Sequence, residues 1–227
     1  KNILKNINPK PEDHILEIGC GWGGFMEYAI KHHNVKVTGL TISKAQHDFT
    51  KKRLFEAGLS ERAKVLLTDY RNQKGQFDGI ASIEMFEAVG EKYWPVYFNS
   101  LKNLMKNGAK STLQIITIAD EIFPEYRKRV DFIQKYIFPG GMLPSKKALE
   151  KQFLQVGLKS INLKSFGSSY SKTLRLWHSS FNSVWDDIAS VKFDDRFKRM
   201  WNFYLASCAA VFYSKTGDVI QVTLKKS

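Results

Sequence analysis

The chain has 227 residues, of which 43% are hydrophobic, enough for one sizeable folded domain with an insertion. This content argues against intrinsic disorder, and no run approaches the ~18 apolar residues that a transmembrane helix needs. Lys and Arg total 35 against 22 Asp and Glu, so the formal net charge is +13. Such a charge attracts polyanions, either nucleic acid or an anionic bilayer surface, although a Lys-rich exterior without a partner stays open.

The first half of the chain alternates short apolar runs with longer amphipathic ones, which predicts a parallel sheet covered by helices on both faces. Ser43 is the expected N-cap of the second helix, and Gly58 follows its end. A later helix is predicted over 93–108, with Gly108 at its end. The predicted strands are HILEIG (14–19), VKVTGL (35–40), AKVLLTD (63–69), FDGIASI (77–83) and KSTLQIITI (110–118).

The pattern breaks at Ala119, and about fifty residues of mixed charged, aromatic and turn-forming character follow. Within them DFIQKYIFPGGMLPS (131–145) keeps neither a helical nor a strand period. Two amphipathic helices are then predicted, and residues 209–224 indicate a terminal antiparallel hairpin with its turn at Thr216-Gly217. We therefore expect a single α/β domain in three parts: a core (1–118), an insertion (119–170), and two helices with the terminal hairpin (171–227).

The segment EIGCGWGG (17–24) follows the first predicted strand and opens the first helix. Gly19, Gly21 and Gly23 lack side chains, so the backbone there can turn tightly and approach a ligand closely. A dinucleotide site would show G-x-G-x-x-G instead. The G-x-G-x-G spacing after Glu17 resembles the S-adenosylmethionine (SAM) loop of class I methyltransferases, and a tight turn without a ligand is the alternative.

The ends of the next strands should complete a cofactor site, because the carboxyl ends of parallel strands meet at one sheet edge. Thr41, Ser43 and Gln46 stand where an acid usually binds the ribose, and their hydroxyl and amide groups can bond a sugar without charge. Asp69 can accept a hydrogen bond from the adenine amino group and Tyr70 can stack on the adenine ring. Alternatively, Asp69 merely forms a turn. The predicted cofactor-binding residues are Glu17, Gly19, Cys20, Gly21, Gly23, Gly24, Thr41, Ser43, Gln46, Asp69, Tyr70 and Ile83.

Eight segments follow one another over essentially the whole chain: LEIGCGWGGF, VTGLTISKAQ, DYR, SIEMFEAVGEKYW, LQIITIADEIF, DFIQKYIFPGGMLPS, SYSKTLRLW and FKRMWNFYLASCAAVF. In this order they resemble the cyclopropane-fatty-acyl-phospholipid synthase family, which includes the mycolic acid cyclopropane synthases. The resemblance implies a class I methyltransferase α/β fold, SAM as cofactor and unsaturated phospholipid acyl chains as substrate. An N/D-P-P-Y/F motif, frequent in base-modifying methyltransferases, is absent, which counts against a nucleic-acid partner.

The resemblance also implies a reaction, in which the acyl double bond attacks the SAM methyl group and the resulting cation loses a proton as a cyclopropane closes. Such a cation needs π faces or anions and no competing water. In the family a bound bicarbonate is the base, and the resemblance assigns Glu87, Tyr170 and the backbone of Ile118 to it. Ile116 replaces the family histidine, and Gln114, on the same strand face, is a candidate substitute.

The remaining expectations concern the substrate and the surroundings. Cys208 matches a conspicuous family cysteine, but because no covalent step is needed a packed thiol is favoured over a catalytic one. By the resemblance, the segment 131–145 covers the sheet edge and lines an acyl tunnel, or else only clamps the insertion. The predicted substrate-binding residues are Phe132, Tyr136, Ile137, Phe138 and Met142.

Cys20 and Cys208 provide no disulfide framework, and residues 1–10 lack signal-peptide features, so we expect a cytoplasmic protein that contacts the inner membrane face peripherally. Basic clusters at 51–53, 125–129 and 145–147 are candidate contacts with anionic lipid. A homodimer is a further expectation.

The alternatives to the cyclopropane synthase function are a fatty-acyl C-methyltransferase or small-amine N-methyltransferase of the same family, a non-catalytic SAM- or lipid-binding module without the family's upstream lid segment, and an RNA methyltransferase suggested only by the charge.

Overall fold

A computed structural model of the protein describes residues 1–189 and 193–226, and seven strands lie within these ranges. They form one sheet, in the spatial order third, second, first, fourth, fifth, seventh, sixth. The α/β fold class with a mostly parallel sheet and antiparallel pairing at its C-terminal end is confirmed. The strands are β1 (His14–Ile18), β2 (Lys36–Thr41), β3 (Ala63–Leu67), β4 (Phe77–Ile83), β5 (Met105–Ile118), β6 (Leu158–Ser165) and β7 (Gly217–Lys226).

Helices connect the strands, and short 3₁₀ turns lie between several of them. The described part of the chain contains no helix with the length and apolar character needed to cross a membrane. The helices are α1 (Asn2–Ile7), α2 (Gly24–His33), α3 (Lys44–Glu56), α4 (Trp94–Leu104), α5 (Phe123–Tyr126), α6 (Phe132–Tyr136), α7 (Lys146–Gln155), α8 (Gly167–Ser183), α9 (Trp185–Ala189) and α10 (Asp195–Tyr213).

The parallel part of the sheet is centred on β1, which pairs with β2 on one side and β4 on the other. Ile15 lies opposite Val37 of β2 and Gly79 of β4. All of β1 after His14 is buried, as expected for a strand covered on both faces. This arrangement brings the carboxyl ends of β1, β2 and β4 to a single edge, where ligands bind in open α/β sheets.

The last strand, β7, runs antiparallel to β5. The hydroxyls of Thr112 and Thr223 lie 3.1 Å apart, and the Gln221 side-chain amide donates to Gln114 Oε1 at 2.9 Å. Residue numbers therefore fall along β7 as they rise along β5, the signature of antiparallel pairing.

Three boundaries differ from the sequence prediction. Residues 209–213, predicted to be the first strand of the hairpin, are the last turns of α10, because Leu205, Ala209 and Phe212 keep one helical face buried. The predicted helix over 93–108 ends at Leu104, and β5 begins at the next residue. Residues 119–170, an insertion for which the sequence analysis named no helix or strand, contain α5, α6, α7, β6 and the start of α8.

The chain divides into two compact units. Unit 1 comprises Lys1–Ile115, Lys147–Lys164 and the residues from Gln221 onward, and unit 2 comprises Ile116–Lys146 and Ser165–Ile220. One core cluster of unit 1 joins the apolar residues of α1 to those of β1, α2 and β2. The core of unit 2 is built from α8, α10 and the start of β7, with Leu174, Leu205, Ala209, Phe212 and Val219 buried.

Candidate cofactor and active site

The glycine-rich loop lies at the carboxyl end of β1, and its three alternate glycines all have positive φ angles of 79°, 52° and 81°. A Cβ atom on Gly19 would lie 2.6 Å from Met85 Cγ, and one on Gly23 would lie 2.6 Å from Thr50 Cγ2. Packing therefore requires glycine at both ends of the loop. Gly21 also has a left-handed φ, but nothing lies within 4 Å of the position that its Cβ would occupy. The middle of the loop thus leaves open space against bare backbone, which is what a closely approaching ligand needs.

Glu17, on the strand that leads into this loop, is buried, and its Oε2 atom has no hydrogen-bond partner among the described residues. Burial raises the pKa of this carboxyl well above its usual range. The neighbouring Cys20 is also buried; burial first and the Glu17 charge second raise the pKa of its thiol to about 12. A buried carboxyl without a partner fits a ligand that brings its own ammonium group, as the methionine part of SAM does.

The three polar residues predicted at the end of β2 form one hydrogen-bonded cluster at the start of α3. Ser43 caps this helix, since its Oγ accepts from the Gln46 backbone N–H at 3.3 Å. Thr41 Oγ1 donates to Gln46 Oε1 at 2.8 Å and accepts from the Ser43 backbone N–H at 3.1 Å. These bonds fix the orientation of the side chains at the sheet edge, next to an exposed Ile42.

At the end of β3, Asp69 is held by Arg71, a residue that the sequence analysis did not assign to the site. The carboxylate accepts from the Arg71 backbone N–H at 2.9 Å, from Nε at 2.9 Å and from Nη2 at 2.6 Å. The side-chain hydrogen bonds from Arg71 hold the pKa of Asp69 below its ordinary value. Tyr70 is half-buried and meets Tyr97 edge to face at 5.3 Å between ring centroids. In the sequence, the motif DYR could have indicated the pairing of Asp69 with Arg71.

The end of β4 adds a polar chain that crosses from one strand to the next. Ile83 lies opposite Gln114 in the β4–β5 register. Gln114 Nε2 donates to Glu84 Oε1 at 2.7 Å, and the Glu84 backbone N–H donates to the Gln114 carbonyl at 2.9 Å. Glu84 has a φ of 52°, a left-handed conformation that is uncommon for a residue with a Cβ. Gln221 continues the chain through its bond to Gln114 Oε1.

Glu87 follows on a 3₁₀ turn, Phe86–Ala88, and is half-buried rather than directed freely into water. Its neighbour Phe86 packs on Trp94, Tyr97 and Phe98 at ring-centroid distances of 5.4, 5.0 and 5.1 Å. Burial raises the pKa of Tyr97, and the negative charge of Glu87 acts in the same direction. Glu87 thus lies close to an aromatic cluster.

Ile118, Tyr170 and Cys208 lie in unit 2, whereas Glu87 and Gln114 lie in unit 1. The Ile118 backbone N–H donates to the Pro144 carbonyl at 2.9 Å. Tyr170 packs between Phe166 and Phe212, with ring centroids 5.9 and 5.4 Å away. Cys208 is a partly buried member of the same core, and burial raises the pKa of its thiol to about 11, so it is protonated at neutral pH.

The predicted substrate segment forms α6, which begins with a capping box between Asp131 and Gln134. Gln134 Nε2 also donates to the Gly141 carbonyl at 3.0 Å, so the loop after the helix folds back on it. Phe132 meets Phe203 edge to face at 4.7 Å, whereas Phe138 has 57% of its surface exposed. Tyr136 is exposed as well, and Ile137 and Met142 are partly buried.

A family model described as mycolic acid cyclopropane synthetase matches residues 1–222. Tuberculostearic acid methyltransferase UfaA1 of Mycobacterium tuberculosis is 39% identical over 212 residues, which are 93% of this chain and 49% of that protein. Cyclopropane-fatty-acyl-phospholipid synthase of Escherichia coli is 36% identical over 228 residues, which are 100% of this chain and 56% of that protein. This chain therefore spans about half the length of the curated relatives that it matches.

Solved structures agree with this match. Cyclopropane synthase MmaA2 from Mycobacterium tuberculosis superimposes with a TM-score of 0.91 at 27% identity, covering 99% of this chain and 82% of that one. Mycolic acid cyclopropane synthase CmaA1, complexed with SAH and CTAB, gives the same TM-score, identity and coverage.

Proposed function

Since this chain belongs to the mycolic acid cyclopropane synthetase family of SAM-dependent methyltransferases, we propose that it transfers the SAM methyl carbon to the double bond of an unsaturated phospholipid acyl chain and forms a cyclopropane ring. The observation that carries the proposal is the glycine-rich loop. It combines open space beside Gly21 with the buried carboxyl of Glu17, whose Oε2 has no hydrogen-bond partner among the residues that the structure describes.

SAM supplies an electrophilic methyl carbon when it is bound. The backbone of Gly19–Gly23 would receive its methionine part, with Glu17 facing the ammonium group. Thr41 and Gln46 would bind the ribose through groups that their mutual hydrogen bond already orients. Asp69, which Arg71 keeps ionised, would accept from the adenine amino group.

In the proposed reaction, the acyl chain needs apolar surroundings, and a base must accept the one proton that is released. The resemblance assigns a role in holding the base to Glu87, which is half-buried in unit 1, and to Tyr170, which packs against Phe166 and Phe212 in unit 2. Bicarbonate is the base that the family resemblance implies. Ile116, at the position of the family histidine, packs against the unit 2 core and offers no side-chain donor. In unit 2 the groups that we propose for an anion are therefore the Tyr170 hydroxyl and the Ile118 backbone, without a histidine side chain.

C-methylation of the same acyl chain is the second candidate, because the relative that is 39% identical to this chain is named a tuberculostearic acid methyltransferase. The two outcomes differ in which proton leaves after the carbon has been transferred. The chain covers only about half of that relative and of the synthase relative, so the substrate of the whole protein is part of the proposal.

The test is incubation of the protein with methyl-labelled SAM and monounsaturated phosphatidylglycerol vesicles, with and without bicarbonate. Mass spectrometry should detect acyl chains that have gained one labelled carbon, and gas chromatography of the released fatty acids should identify the ring. A methyl-branched or methylene product would favour the second candidate. Binding of SAM without any labelled acyl chain would contradict both.

A further inference from the structure

Helix α3 contacts the glycine-rich loop through three side chains that lie outside the loop motif, and all of them belong to unit 1. The Phe49 ring meets the Trp22 ring edge to face at 5.2 Å between centroids. Thr50 Oγ1 donates to the Gly21 carbonyl at 3.0 Å. Arg53 Nη1 donates to the Trp22 carbonyl at 3.3 Å. Side chains of one helix therefore hold two successive carbonyl groups of the loop.

Thr50 is the enclosed member of this set. It is fully buried, whereas the residues on either side of it along α3 are exposed. A threonine inside a helix often donates to a carbonyl of its own preceding turn, but this hydroxyl donates to a residue 29 positions away in the chain. Its methyl group faces Gly23, where an added Cβ would lie 2.6 Å from Cγ2. Because a β-branched side chain has few χ1 rotamers in a helix, these two contacts fix one rotamer of Thr50.

The peptide unit that Thr50 holds lies in the middle of a tight turn. The Gly23 N–H closes this turn by donating to the Cys20 carbonyl at 3.0 Å. Several turn types share such a closing bond, and they differ in the orientation of the central peptide unit. Gly21 is the first central residue, and glycine restricts φ and ψ less than any other residue. The hydrogen bond from Thr50 therefore helps to fix the orientation of the peptide unit between Gly21 and Trp22.

Fixing this carbonyl also fixes the amide group of the same peptide unit. In a trans peptide the C=O and N–H groups point in opposite directions, so the Trp22 N–H is directed away from Thr50. Within residues 1–189 and 193–226, the backbone N–H groups of Gly21 and Trp22 have no hydrogen-bond acceptor. Nothing lies within 4 Å of the position that a Gly21 Cβ would occupy. The turn thus offers two free donors beside open space, an arrangement that suits an anionic group of a ligand.

We propose that Thr50 is a positioning residue of the cofactor loop: its hydroxyl orients the Gly21–Trp22 peptide unit so that the Trp22 N–H binds the carboxylate of the methionine part of SAM. The inference rests on the proposed function, since it takes SAM as the ligand. In this role Thr50 acts only through the loop. A threonine that merely packed in the core would instead affect every ligand of the loop equally.

The test compares SAM with decarboxylated SAM, which lacks only the carboxylate, and measures both affinities by calorimetry without any turnover. Thr50→Val keeps the shape of the side chain and removes the hydroxyl. It should weaken SAM binding about tenfold and the binding of decarboxylated SAM less than about twofold. Thr50→Ser retains the hydroxyl and should stay within about threefold of the wild-type affinity for both ligands.

Thr112→Val is the matched control, because Thr112 is also a fully buried threonine of unit 1 with a hydroxyl bond, to Thr223 at 3.1 Å. It should lower the midpoint of urea unfolding about as much as Thr50→Val does, and change SAM affinity less than about twofold. A measurement on the wild-type protein avoids any folding defect of the variants. The Trp22 amide proton resonance should move downfield with SAM and not with decarboxylated SAM.

Three results would overturn the role of Thr50 and leave SAM binding, and with it the proposed function, in place. They are equal losses for the two ligands in Thr50→Val, an equal loss of SAM affinity in Thr112→Val, and a Trp22 amide resonance that responds to both ligands alike. A wild-type protein that does not bind SAM would contradict the proposed function itself, and the role of Thr50 with it.

Discussion

Different kinds of interaction position the candidate site residues within each of the two units. In unit 1 the edge of the sheet carries directional hydrogen bonds, such as those from Arg71 to Asp69 and from Gln114 to Glu84. In unit 2 Tyr170 packs against two rings, those of Phe166 and Phe212, and Trp201 stacks on Phe197 at 5.6 Å with an interplanar angle of 17°. The unit 1 residues therefore offer polar contacts, which suit a polar ligand, and the unit 2 residues offer aromatic contacts, which suit an apolar one.

The largest expected effect lies in unit 2. Tyr170→Phe keeps the ring contacts with Phe166 and Phe212 and removes only the hydroxyl that is proposed to hold the base. We expect turnover to fall about a hundredfold, with SAM affinity and melting temperature nearly unchanged. Steady-state kinetics and calorimetry with SAM measure the two quantities. The control Tyr28→Phe removes a hydroxyl from unit 1 and should leave turnover alone; equal losses in both variants would contradict the role.

The next effect tests unit 1. Gly21→Ala places a Cβ in the open space of the loop at a φ of 52°, and Gly108→Ala imposes similar strain at a φ of 79°, also with nothing within 4 Å. Both variants should lose about 1–2 kcal/mol of unfolding free energy. Only Gly21→Ala should also lose SAM affinity, by about tenfold. Equal SAM affinities in the two variants would show that the loop does not contact the cofactor.

A smaller effect is expected for Glu17→Gln, which keeps the shape of the side chain but cannot become negative. SAM affinity should fall about fivefold in calorimetry, because an ammonium group would lose its counter-charge. The pKa of Glu17 is raised in the folded state. Between pH 4.5, the ordinary pKa, and this raised pKa, the folded protein therefore holds a proton that the unfolded chain has lost. The free energy of unfolding should therefore decline as pH rises from that value toward the raised pKa, and this decline should be absent in Glu17→Gln. Identical pH profiles would contradict the burial of an unpaired carboxyl.

The smallest effect concerns Cys208. Because burial raises the pKa of its thiol to about 11, alkylation at pH 8 should be slow relative to a free thiol. Cys208→Ala should retain more than about half of the wild-type turnover, since the side chain packs in the unit 2 core and no covalent step uses it. Loss of turnover with unchanged stability would reopen a catalytic role.

Hydrophobic period and turn chemistry sufficed to predict the five parallel strands and the glycine-rich loop. They failed at residues 209–213, where aromatic and β-branched residues favour a strand but packing on α8 keeps α10 helical. They also failed for α6, which is too short to show a helical period and depends on its capping box. Local sequence could not predict the Glu84–Gln114–Gln221 chain either, because its members come together only through the β4–β5–β7 strand order.

The position of the transferred label shows whether the glycine-rich edge of unit 1 delivers the SAM methyl carbon to an acyl double bond. The protein is incubated with methyl-labelled SAM and phosphatidylglycerol that has one double bond at a known position. We expect labelled carbon at the former double bond with the wild-type protein, and about tenfold less at subsaturating SAM with Gly21→Ala. Label in the head group, or acyl label that Gly21→Ala does not reduce, would contradict it.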